Sequence, residues 1–150
     1  MSLEDLYREV ILDHYRNPRN RAPVADPDGH AEGVNPLCGD EITVEVVLDG
    51  DRIETLSVRG HGCSISQSSA SMMSEAIVGK TVDEVRTLTT RFKAMMDIDR
   101  SADPGIDPDR PGAALGDLEA LQGVKQYPVR IKCADLAWTT LEQALDDAGV

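Results

Sequence analysis

The chain has 150 residues with 15 basic against 27 acidic side chains, a formal net charge of -12, and 41% hydrophobic content. That length suits one ordinary domain with its own core, and the charge argues against a sequence-independent hold on nucleic acid, which needs lysine and arginine on the phosphates, and against docking on anionic membranes. No apolar run approaches the roughly 20 residues of a membrane span, and the opening Met1-Ser2-Leu3-Glu4-Asp5-Leu6 has no basic patch ahead of an apolar stretch, so the chain reads as cytoplasmic.

Leu3, Leu6, Tyr7, Val10, Ile11 and His14 fall at helical spacing, with Ser2 as N-cap and Asn17-Pro18 as the stop, which predicts an amphipathic first helix. Residues 17–37 are rich in Pro, Asp, Asn and Gly and read as an extended loop. Ile42, Val44, Val46 and Leu48 then alternate up to Asp49-Gly50, and a second run follows from Arg52 to Arg59, which predicts an antiparallel hairpin. Val47 and Ile53 break the alternation, so the second face of the hairpin is expected to be partly covered.

After Gly60-His61-Gly62-Cys63, the positions of Ile65, Met72, Met73, Ala76 and Ile77 predict a helix that Cys63 opens. Thr81 followed by Glu84 is a capping-box pattern for a third helix, with Val82, Val85, Leu88, Phe92 and Met96 inward. Residues 97–112 read as a surface loop, Leu115 to Leu121 as a short helix, and Ile131 to Asp147 as the last helix, with Cys133 in its first turn.

The chain has three cysteines, Cys38, Cys63 and Cys133, which cannot all pair with one another. Cys38 and Asp40 flank Gly39 and would face one point in an extended segment; Cys63 and Cys133 each lie where a helix is predicted to begin, which favours a thiolate. Three sulfurs and one carboxylate make the four donors of a tetrahedral zinc site, although no CxxC pair supports that reading locally. Isolated cysteines are also frequent small core residues, most plausibly so for Cys133 beside the apolar stripe of the last helix. His14 and His30 read as surface or core-edge residues, while His61 either reaches the site or is solvated. Three thiolates and a carboxylate around a divalent ion leave excess negative charge, which Arg130 and Lys132 are placed to offset; the alternative is that both are solvated.

Three stretches resemble the cysteine motifs of the IscU/NifU-type iron–sulfur cluster assembly family: Cys38-Gly39-Asp40, Gly60-His61-Gly62-Cys63 with Ser64 to Ala70, and Pro128 to Cys133. The scaffold branch of that family has a histidine before its last cysteine and a Leu-Pro-Pro-Val-Lys stretch. Here Lys132 and Gln126-Tyr127-Pro128-Val129-Arg130 stand in those places, a pattern similar to the SufU branch.

The resemblance implies an α+β fold, a small antiparallel sheet of about three strands packed on one side by several helices. It implies a single domain over residues 1–150 with an inserted loop and short helix at about 97–122. It further implies Zn2+ on Cys38, Asp40, Cys63 and Cys133, and sulfur accepted on Cys38 from a SufS-type cysteine desulfurase, with a cluster scaffold complex downstream. A scaffold that builds a [2Fe-2S] cluster on the same cysteines is the alternative, and an adaptor with purely structural zinc a third.

Overall fold

The computed structural model describes residues 2–150. Ser2 opens helix α1 (Leu3–Arg16) through a capping box, its hydroxyl accepting the Asp5 N–H at 3.1 Å while the Asp5 carboxylate accepts the Ser2 N–H. The second expected cap also forms: Thr81 and Glu84 hold the N-terminus of α3 (Val82–Met95), with Val85, Phe92 and Met96 buried. Between them α2 spans Ser64–Ile77.

The sheet has three antiparallel strands, β1 (Gly29–Asn35), β2 (Asp40–Asp49) and β3 (Arg52–His61), in that spatial order. β1 lies inside the stretch read as a loop. Its sequence, GHAEGVN, offers little apolar alternation, and its place is decided by a neighbour: a Cβ on Gly29 would run into the Ala144 carbonyl and one on Gly33 into the Thr140 hydroxyl. The glycines let the last helix lie directly on the strand.

Ile53 differs from its expected orientation, for a local reason. Val47 pairs with Thr55 but Leu48 with Ile53, so Glu54 is an extra residue in β3, and this bulge returns Ile53 to the side of Leu56 and Val58, fully buried. The other face carries Glu41, Thr43 and Glu45 and stays partly exposed, with Arg59 paired to Glu45.

Residues 116–126 form a 3-10 helix, Gly116–Gln126, which extends beyond the short helix predicted at Leu115 to Leu121. Leu115, Leu118, Leu121 and Val124 are buried at every third position, the period of a 3-10 helix. Glu119, also buried, anchors the preceding loop by accepting the N–H groups of Gly112, Ala114 and Leu115 at 3.0–3.1 Å. The last helix, α4 (Pro128–Asp147), begins earlier than Ile131 because Pro128 fits the first helical turn, where its missing N–H costs nothing.

α4 packs on β1 and β2, and α2 packs on α4 and β3. The core between helices and sheet holds Ile42, Val44, Met73 and Trp138, with Trp138 stacked on Phe92 at 4.5 Å between centroids. Trp138 Nε1 donates to Ser69 Oγ, which itself donates to the Ala134 carbonyl, fixing α4 against α2 beside the last cysteine. No helix of the described residues is long and apolar enough to cross a membrane.

Candidate metal centre

Cys38 sits in the turn of residues 36–39 that joins β1 to β2, and this corrects the expectation of an extended segment there. The Cys38 N–H bonds the Asn35 carbonyl at 3.2 Å, and Gly39 takes φ +69°, a left-handed value that a side chain would resist. The turn lifts the Cys38 thiol into solvent while Asp40, the first residue of β2, turns fully inward. Sheet pairing then sets Asn35 opposite Asp40.

Cys63 is the N-cap of α2, and its sulfur accepts the Ser66 N–H at 3.5 Å, so the positive end of a helix faces it as expected. Its own N–H donates to Asp40 Oδ1 at 2.9 Å, and its sulfur lies 3.9 Å from Asp40 Oδ2. Gly62 makes that approach possible: a Cβ there would strike the Asp40 carboxylate and crowd Ser66 Oγ at 2.8 Å.

Cys133 lies in the second turn of α4, away from the helix N-terminus, which corrects the other half of that expectation. Its sulfur is buried 3.4 Å from Cys38 Sγ. Burial pushes the Cys133 thiol well above its ordinary range, and the neighbouring Cys38, Asp40 and Cys63 push it the same way.

Cys38, Asp40 and Cys133 offer donor atoms that all lie within 4.8 Å of one another, and Cys63 joins them through the shared Asp40 carboxylate. Sequence reasoning missed Asn35. Its Oδ1 accepts the Leu37 N–H at 3.3 Å, shaping the turn, while its Nδ2 faces Cys133 Sγ at 3.8 Å. An asparagine ending a strand ahead of a proline was the available signal.

Arg130 and Lys132 are exposed near the start of α4 and form no ion pair among the described residues. His61 is exposed and pairs with Glu41 at 2.8 Å, outside the donor group. Four groups that each become anionic on losing a proton are thus gathered with no cation among them. Soft thiol sulfurs beside a hard carboxylate oxygen, with one thiol held protonated by burial and then by its neighbours, make a donor set suited to a divalent metal such as zinc.

The description "NifU-like N terminal domain" matches residues 6–134. The chain belongs to that family. Among its relatives, the zinc-dependent sulfurtransferase SufU of Bacillus subtilis (strain 168) is 45% identical over 144 residues, 96% of this chain and 92% of that protein. The iron–sulfur cluster assembly scaffold protein IscU of Streptococcus pyogenes serotype M1 is more distant, 36% identical over 95% of this chain and 84% of its own length. In structure, the iron–sulfur cluster assembly scaffold protein for the SUF system, FiSufU, of Fervidobacterium islandicum AW-1 matches with a TM-score of 0.79 at 35% identity, covering 96% of this chain and 99% of that one. A NifU-like N-terminal protein of Brucella abortus shares the fold at a TM-score of 0.81 and 21% identity, covering 98% and 96%.

Proposed function

We propose that this member of the NifU-like family is a zinc-dependent sulfur-transfer protein of iron–sulfur cluster biogenesis. It accepts persulfide sulfur on Cys38 from a SufS-type cysteine desulfurase, stimulates that enzyme's turnover, and passes the sulfur on to a cluster scaffold complex. The observation that carries the reading is one exposed thiol, Cys38, set against buried Asp40 and Cys133 at metal-donor spacing. The higher identity to a sulfurtransferase than to the scaffold relative of Streptococcus favours it over cluster assembly.

Cys38, Asp40, Cys63 and Cys133 are the residues that would hold zinc, and bound zinc supplies a positive charge that keeps thiolates deprotonated near neutral pH. The protein's own contribution is placement. The β1–β2 turn presents Cys38 at the surface, where a partner's persulfide can reach it, while Asp40, Cys63 and Cys133 stay beneath, at least partly shielded. The Cys38 thiolate attacks the outer, sulfane sulfur of the partner's persulfide. A new S–S bond forms on Cys38, the old one breaks, and the partner cysteine leaves as its thiolate.

Arg130 and Lys132, exposed at the start of α4, offset the negative charge of the donor set from its rim. The acidic surface suits a partner whose docking face is basic.

The test is desulfurase turnover with cysteine as substrate, measured with the zinc-loaded protein and with its Cys38→Ala variant. The wild type is expected to raise turnover and the variant to leave it at the basal rate. Equal stimulation by both would refute sulfur acceptance on Cys38. A brown protein carrying iron and inorganic sulfide would move the reading to a scaffold.

A further inference from the structure

A second group of metal-ligating side chains lies away from the cysteines, where α1, α2 and the 3-10 helix meet. We propose that His14, Glu75 and Asp117 form a binding site for a divalent transition-metal ion, separate from the cysteine centre. His14 is fully buried although its neighbours on α1 are largely exposed. Its Nε2 faces two carboxylates, Asp117 Oδ2 at 3.0 Å and Glu75 Oε1 at 3.6 Å. The three donor atoms fall within 4.8 Å of one another.

The ring is held from behind. Ser71 Oγ stands 2.8 Å from His14 Nδ1 and also accepts the Arg19 N–H at 3.0 Å. The 3.0 Å contact of Nε2 with Asp117 Oδ2 is a hydrogen bond in which Nε2–H donates. A metal ion would take the place of that proton, with Nδ1–H then donating to Ser71, the second-shell arrangement that orients an imidazole toward a metal.

Charge balance favours a cation there. Asp13, Glu75 and Asp117 contribute three negative charges, and Arg19 is the one arginine or lysine paired with any of them among the described residues. Arg19 itself is committed mainly to Asp13, at 2.7 Å, and its Nε lies 3.7 Å from Glu75 Oε2, leaving Oε1 to face the histidine. Two negative charges remain uncompensated, the charge of one divalent ion.

Access is present as well. A cleft of about 170 Å³ opens beside the group, lined by Glu75 and Asp117 together with Met72, Ala76 and Leu115. It leaves room for water to complete the shell. One imidazole nitrogen and two carboxylate oxygens suit Mn2+, Fe2+ or Zn2+ better than the thiol-rich centre suits Mn2+. An ion there would tie the 3-10 helix to α1 and α2.

The probe is Mn2+, titrated into the zinc-loaded protein and followed by the loss of the free-ion electron paramagnetic resonance signal. One Mn2+ per chain is expected, with affinity weakened about tenfold or more in Asp117→Asn and in Glu75→Gln. The control Asp109→Asn, exposed in the loop that precedes the 3-10 helix, should bind as the wild type does. Asp117 is more than half exposed, so its variant should fold, and an unchanged circular dichroism melt without metal verifies this. Absence of Mn2+ binding up to millimolar concentration would overturn the site. Equal binding by wild type and Asp117→Asn would assign the ion to diffuse attraction by the acidic surface and overturn it equally.

Discussion

One oxygen of Asp40 accepts the Cys63 N–H at 2.9 Å, and the other stands 3.9 Å from Cys63 Sγ, so the start of β2 and the start of α2 are locked together through a single carboxylate. Only a residue without a side chain fits between them. Gly62 takes φ +154°, and a methyl group there would displace Asp40. Gly62→Ala is expected to destabilise the fold by about 1–3 kcal/mol, the usual cost of forcing a side chain into such a backbone region. Zinc affinity should fall about 10–100-fold, as when a supporting contact to a ligand is lost. Competition with a chromophoric chelator measures the second effect, and wild-type affinity in Gly62→Ala would show that Asp40 is not a ligand.

The raised Cys133 thiol sets a pH dependence for metal loading. Near neutral pH the metal-free fold holds that proton, so an incoming ion must displace it, and zinc affinity rises with pH. Proton release on zinc binding, read by calorimetry in buffers of different ionisation enthalpy, checks this. The same shift acts on folding. A Cys133 thiol in the unfolded chain ionises near 9.0 and in the folded chain only well above that, so its contribution is fully present below pH 9.0 and lost as pH rises beyond it. The metal-free wild type should therefore lose denaturant resistance above pH 9 relative to Cys133→Ser.

Asp135 is half-buried on α4, one oxygen accepting from Thr139 at 3.2 Å and the other buried without a partner. Burial raises its pKa above the ordinary 3.8 despite nearby Lys93. The stability it contributes is full below pH 3.8 and is lost as pH climbs through the folded value. At neutral pH the ionised carboxylate is thus a cost, and Asp135→Asn is expected to stabilise the protein on the order of 1 kcal/mol, the scale of one unpaired buried acceptor. Urea unfolding at pH 7 and at pH 3.5 tests the sign: the gain should vanish at the lower pH.

The helices with explicit caps were readable from sequence because Ser2 and Thr81 announce their own geometry within four residues. The hairpin was readable from alternation and Asp49-Gly50. What escaped depended on distant neighbours. β1 is specified by α4 packing on Gly29 and Gly33, and the return of Ile53 to the core depends on a one-residue bulge that no periodicity encodes. The 3-10 helix carried a visible signal, apolar residues at every third position, that a search for 3.6-residue periodicity overlooks.

At the candidate metal centre the sequence singled out Cys38, Asp40, Cys63 and Cys133, which the fold gathers, but local rules misplaced two of them. Cys38 comes from a turn where an extended segment was expected, and Cys133 from a second helical turn where the first was expected. Residues 95 positions apart reach 3.4 Å only through tertiary packing, which spacing cannot express.

The most direct test of sulfur transfer is peptide-mapping mass spectrometry after brief anaerobic incubation of the zinc-loaded protein with a SufS-type desulfurase and cysteine. The account predicts one added sulfur atom on the peptide holding Cys38 and none on those holding Cys63 or Cys133, with the label discharged by a thiol reductant. Sulfur on Cys63 or Cys133 with Cys38 unmodified, or none on any cysteine while the desulfurase turns over, would contradict it.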